Sequence, residues 1–193
     1  MQRYRKNIND DPTRSGLREM SIMHVFRDSA ARRDSRDPDR HYQEGERDLT
    51  LRSQKRRDGT DEAALRHNIA LDVASLMNTI RLGVCTDLSE TPRVAKSIVN
   101  FGFQDMDTLW RDRRNPNDMA KSIRDTLIAN EPRLRAATIE VRVDENATDS
   151  NQRLQFEIIA EMISNPSDIP LQFYAEVDPG AGKIALKRMQ GEA

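Results

Sequence analysis

Near residue 139 the spacing of apolar residues changes from a helical period to a period of two, and that change dictates the fold class. Ile139, Val141 and Val143 alternate with Glu140, Arg142 and Asp144. Leu154, Phe156, Ile158, Ala160 and Met162 repeat the pattern, as do Leu171, Phe173, Ala175 and Val177, and Ile184 and Leu186 close the series. Alternation of this kind buries one face of a strand and leaves the other to water. The stretch Asp178-Pro179-Gly180-Ala181-Gly182 reads as a tight turn joining the last two strands into a hairpin. Helical segments precede the strands, so the expected class is α+β: N-terminal helices packed on a C-terminal antiparallel sheet of about four strands.

Three helices are expected before the sheet. Thr60 or Asp61 can accept the free N–H groups of a helix start. Leu65, Ile69, Val73, Leu76, Met77 and Ile80 then share one face, and Gly83 ends the helix. A second helix opens at Thr91-Pro92, carries Val94, Ala95, Ile98 and Phe101, and stops at Gly102. A third opens at Asn115-Pro116 and carries Met119, Ile123, Leu127 and Ile128. Pro132 ends it, because the residue before a proline is driven out of the helical conformation.

The front of the chain differs from this body. Residues 1–60 hold 15 Lys/Arg against 11 Asp/Glu, a net of +4; residues 61–193 hold 16 against 21, a net of −5. These two stretches are read as an N-terminal extension, 1–60, and a folded domain, 61–193. Inside the extension, Leu17, Met20, Ile22, Met23, Val25, Phe26 and Ala30 cluster at helical spacing, so an amphipathic helix is expected over 17–31. It either packs on its own domain or docks on a partner through Met20, Ile22, Met23 and Phe26. Mixed charge without apolar periodicity at 32–60 reads as a mobile linker. A nucleic-acid arm is an alternative use of the basic front, weakened by its many acids and by only Tyr4, Phe26 and Tyr42 as aromatics.

Several chemistries are not supported. No apolar run approaches a membrane span, and the first residues lack the apolar core of a signal peptide, so neither membrane insertion nor Sec export is expected. A single cysteine, Cys85, excludes an internal disulfide framework and reads as inert packing. His24, His41 and His67 are isolated, so no metal site is expected. Gly180-Ala181-Gly182-Lys183 lacks the strand-to-helix setting of a phosphate loop. With 32 acidic residues, candidate carboxylate pairs for glycoside cleavage abound and discriminate nothing. No cofactor, small-molecule substrate or enzymatic activity is expected.

One connector is chemically distinctive: Glu131-Pro132-Arg133-Leu134-Arg135, between the last helix and the first strand. Pro132 stiffens it, and Glu131 and Arg133 should be displayed on a rigid corner beside a helix C-terminus. A guanidinium so held can bind a carboxylate through two parallel bonds. Spacing alone favours an internal brace over a docking site.

The body from about Leu65 to Met189 resembles the TssE family of type VI secretion baseplate subunits and its relative, the gene-25-like wedge protein of contractile-tail phages. The resemblance rests on Leu76-Met77-Asn78-Thr79-Ile80-Arg81, on residues 97–105, on the corner at 131–135 and on the terminal hairpin at 178–184. The stretch 20–28 is similar to the short helix that precedes the family domain. The resemblance implies a non-enzymatic assembly role in the cytoplasm, in a baseplate associated with an inner-membrane complex. It implies wedge partners TssF and TssG, with TssK as a further contact, and the sheath subunits above. It also implies that Glu131, Pro132 and Arg133 contact the wedge core, and that a sheet edge templates the first sheath ring. Some family members carry a lysozyme label, so a peptidoglycan hydrolase is the alternative function. The terminal hairpin is the candidate edge: Ile184→Pro or Leu186→Pro is expected to impair sheath assembly but also to endanger the fold, and Ala185→Pro, on the opposite side-chain face, is the safer probe.

Overall fold

A computed structural model describes residues 16–33, 59–105, 115–144, 154–178 and 182–188. Most of the charged stretch at 32–60, expected to be mobile, lies outside the described residues, as do 1–15 of the basic front. The chain forms two compact units, Met1–Asn68 with Ser164–Pro166, and Ile69–Ile163 with Ser167–Ala193.

In the first unit, helix α1 (Ile22–Arg32) starts later than its apolar cluster suggests. Arg18 and Thr60 exchange two backbone hydrogen bonds, of 2.8 and 2.9 Å, so the chain before the helix is extended. The start of helix α2 (Glu62–Met77) belongs to the same unit as far as Asn68. Of the two expected caps, Asp61 is the one that works: its Oδ1 accepts the Ala64 N–H at 2.6 Å. Thr60 instead is buried in the bridge to Arg18. Arg18 donates to Glu62 at 3.1 Å and Arg66 to the same carboxylate at 2.6 Å. The Arg66 hydrogen bond, with both guanidinium charges, holds the Glu62 carboxyl below the usual range although partial burial opposes this. Arg27 of α1 donates to the buried Asn68 at 3.3 Å.

The second unit holds the sheet. Strands β1 (Glu140–Val143), β2 (Leu154–Met162), β3 (Ile169–Asp178) and β4 (Lys183–Arg188) form one antiparallel sheet in the order β1-β2-β3-β4. Register pairs Phe156 with Ala175, Ile158 with Phe173 and Val177 with Ile184, so the alternating apolar residues of β2, β3 and β4 meet on one face. Those residues are buried, together with Met119, Ile123 and Leu127 of helix α5. That helix is Pro116–Asn130, the third of those expected from sequence, and Asn115 caps it by accepting the Asn117 N–H at 3.0 Å.

Between α2 and α5 the structure departs from expectation. Helix α2 ends at Met77, and Ile80 lies beyond it, exposed, in a bridge with Phe103. Phe103 donates to Thr79 at 2.7 Å and accepts from Arg81 at 2.9 Å, which pulls residues 79–81 out of any helix. Gly83 stops nothing; it sits inside the short helix α3 (Leu82–Cys85). Cys85 is exposed rather than packed. The second expected helix breaks into α4 (Pro92–Ala95) and a 3₁₀ turn (Ile98–Asn100). Ser97 accepts from Val99 at 3.3 Å and donates to Val94 at 2.8 Å, and Asn100 donates to Ala95 at 2.9 Å. These local side-chain bonds outcompete the helical ladder. Ile98, expected on a buried face, is 87% exposed.

Gly102 makes this segment possible. Its φ is +130°, and a Cβ there would overlap the Thr79 carbonyl oxygen and lie 2.9 Å from the Arg81 nitrogen. Gly102→Ala is therefore expected to cost about 2 kcal/mol or more, through both backbone strain and loss of the close approach. A urea midpoint unchanged from the parent would show that the close approach of residue 102 to Thr79 does not constrain the fold.

Candidate functional site

The connector between α5 and β1 becomes a stitched corner. Glu131 leaves the helix with φ −119° and ψ 81°, as the following Pro132 demands. Its N–H still reaches Leu127 at 2.9 Å, and its carbonyl accepts from Leu134 at 3.1 Å. Leu134 is buried and bridges Met162 at the end of β2. On either side of that bridge, Ile163 donates to the Arg133 carbonyl and Arg135 donates to the Glu161 carbonyl, each at 2.8 Å. Arg135 also pairs with Asp168.

Arg133 is the centre of the corner. Its Nε donates to Glu131 Oε1 at 2.7 Å and its Nη2 to Glu131 Oε2 at 2.6 Å, a two-bond fork. The same Nη2 donates to Asp72 Oδ2 at 2.8 Å, and Asp72 belongs to α2. Burial works against the guanidinium charge, but the hydrogen bonds and charges of Glu131 and then Asp72 outweigh it and hold Arg133 protonated above its ordinary range. Glu131 is 7% exposed. The expectation that its carboxylate is displayed is thereby corrected: the carboxylate is turned inward and covered by Arg133. What the corner presents outward is the Pro132 ring and part of the Arg133 guanidinium.

Asp72 was missed by sequence reasoning. The signal was available: it sits three residues after Ile69 and four before Leu76, on the rim of the apolar stripe of α2. An acid at a stripe's rim is the natural partner for a cation arriving from another element.

The second cluster from sequence, on α1, is presented rather than buried. Ile22, Met23 and Phe26 are 52%, 68% and 51% exposed, while His24 and Val25 are buried. At 3.6 residues per turn the exposed three fall within roughly 100° of arc, opposite the buried pair. Met20, just before the helix, is half-buried.

The third surface is the outer side of β4. Asn78, one residue past α2, donates to the Ile184 carbonyl at 2.9 Å and accepts the Ile184 N–H at 3.2 Å. Both backbone groups of Ile184 therefore point away from β3, and Ile184–Val177 is a non-hydrogen-bonded pair of the ladder. Leu186, two residues on, has the same outward phase, whereas Ala185 turns its N–H and carbonyl toward β3. Ala185 is thus the wrong residue for blocking the edge: side-chain face and backbone direction are different properties of a strand. Among the described residues β4 has no neighbour beyond it.

Removing the Arg133 side chain leaves the buried Glu131 carboxylate with no cation and only the backbone N–H of residue 133, at 3.3 Å, so Arg133→Ala is expected to destabilise the fold by about 2–3 kcal/mol. Arg133→Lys should recover less than half of that, because an ammonium cannot make two parallel bonds to one carboxylate. Urea midpoints at constant slope measure both; a shift in Arg133→Ala below about 0.5 kcal/mol would mean that the corner is held by its backbone bonds alone.

No curated protein and no solved structure matches the chain. A family model for baseplate wedge protein gp25 matches residues 63–167, which run from the start of α2 to the turn before β3 and include the whole corner. More than half of the chain lies within that match, and the chain belongs to the baseplate wedge protein gp25 family.

Proposed function

We propose that the chain is the TssE-type wedge subunit of a type VI secretion baseplate, binding TssF and TssG and offering its β4 edge to the first ring of the contractile sheath. Membership in the family gives a structural role in a baseplate. The observation that carries the finer reading is the outward backbone of Leu186 on an edge strand. A donor and acceptor left at a sheet edge are satisfied in full by an added strand, which makes an edge a natural template for a strand from another chain. Because main-chain bonds do the pairing, such a template works without any catalytic group.

The wedge contacts fall to the other two surfaces. The exposed Ile22, Met23 and Phe26 supply an apolar helix face of the kind that docks in a groove. The corner supplies Pro132 and the open side of Arg133, with TssK as a further contact of the same wedge. On this reading the corner is a brace first: Arg133 has to hold Glu131 and Asp72 before Pro132 stands in a fixed position for a partner. The protein works in the cytoplasm, where the baseplate meets its inner-membrane complex.

Two experiments test this. Leu186→Pro and Leu186→Ala lose the same side chain, and only the proline loses the outward N–H, a change that edge strands tolerate. Fluorescently labelled sheath in cells is expected to form normally with the alanine and to fail with the proline; a folded Leu186→Pro chain that still supports sheath would remove the edge from the mechanism. Separately, Met23→Ser with Phe26→Ser should leave the melting temperature unchanged, since both residues are exposed, and weaken copurification with TssF and TssG by about tenfold or more. Undiminished recovery of both subunits would show that α1 is not a wedge contact.

A further inference from the structure

The Asn78 carboxamide does at the outer edge of β4 what a residue of a neighbouring strand would do. It gives one N–H to the Ile184 carbonyl and takes the Ile184 N–H, at 2.9 and 3.2 Å. Its second N–H is held by the Ala74 carbonyl at 2.8 Å, and its own backbone N–H reaches the same carbonyl at 3.2 Å. Both N–H donors and the carbonyl oxygen of the side chain are thus engaged, and the helix end holds the amide in place. We propose that Asn78 is the register stop of this edge: it occupies the first outward position, Ile184, so that an incoming strand pairs from Leu186 onward and no further back. This rests on the reading of β4 as a strand-accepting edge and adds where pairing begins.

The edge also states what it will accept. On the buried face, Ile184 and Leu186 call for apolar neighbours. On the other face, past the stop, the charged side chain is Lys187, which pairs with Glu176 on its β3 side and stays largely exposed. Cross-strand neighbours of opposite charge are favoured and like charges opposed. The matching occupant is therefore an extended segment of another chain that alternates apolar and acidic residues. A second copy of β4 would set lysines against lysines, which disfavours pairing of the chain with itself.

Residue-resolved amide exchange on the full chain tests the stop, with a synthetic peptide of alternating valine and glutamate at millimolar concentration as the probe. Alone, the chain should show a slow Ile184 amide and a fast Leu186 amide. With the peptide, Leu186 should slow by about tenfold or more, while the Asn78 side-chain NH₂ resonances stay in place. In Asn78→Ala, Ile184 should exchange as fast as Leu186, and the peptide should slow both. A Leu186 amide that slows while the Asn78 NH₂ signals move to free values would show that the amide is displaced, and would overturn the stop while sparing the edge. The same conclusion follows if only Leu186 slows in Asn78→Ala. A Leu186 amide that never responds would sink the strand-accepting edge itself. Should Asn78→Ala not fold, the Asn78 NH₂ signals of the unaltered chain still decide the matter. A valine-lysine peptide that binds as well as valine-glutamate would overturn the charge assignment.

Discussion

The fork from Arg133 to Glu131, with its third bond to Asp72, is the interaction on which the geometry of the second unit depends. It joins the middle of α2 to the corner that follows α5, a corner that is bridged to the end of β2 and leads into β1. A buried charge is expensive unless paired, and a half-satisfied cluster is worse than an apolar one. Here the two carboxylates share one cation, and the Glu131 fork uses both oxygens. The exit angle of α5 is then set from two sides, by the ring of Pro132 and by the carboxylate of the residue before it. Leu134 follows into the core, and Arg135 begins the turn toward β1.

The sheet was legible in the sequence because a strand's period is short and its burial is one-sided. Alternation over residues 154–162 and 171–177 leaves only one way to bury Phe156, Ile158, Phe173 and Val177 together, and the register obeys it. Helix α5 was legible for a related reason: an Asn-Pro start, a stripe at three and four, and a proline stop all agree. The region 78–105 was not legible. Its apolar residues suggest helices, yet Ser97, Asn100 and Asn78 bond to nearby backbone and end each helix early. Periodicity cannot anticipate this, since it counts apolar positions and the outcome is decided by polar ones. The Gly102 conformation is likewise invisible to periodicity; it follows from the approach of the chain to Thr79.

For the site, sequence located the corner and mistook its orientation. The argument from Pro132 and a helix end is sound as far as stiffness goes, but stiffness says nothing about which way a carboxylate turns. Glu131 turns inward because Arg133 is only two residues away and Asp72 waits on the neighbouring helix to complete the cluster. The α1 cluster shows the converse. Its apolar residues divide between a buried pair and an exposed trio, so a single cluster in sequence becomes two faces with different work.

Asn78 and Asp72 give α2 a role that its apolar stripe does not reveal. Asp72 within the helix and Asn78 just past its end both bond to the periphery of the sheet, Asp72 at the corner beside β2 and Asn78 at the outer edge of β4. One rigid helix therefore bears on both the corner and the open edge. A disturbance that shifted Arg133 from Asp72 would act on the same helix that places Asn78, so the two surfaces have a physical route of coupling through six residues of α2 and its end. Six residues span less than two helical turns, short enough for the helix to carry a displacement without bending. The corner and the Asn78 bonds to β4 thus rest on one rigid body.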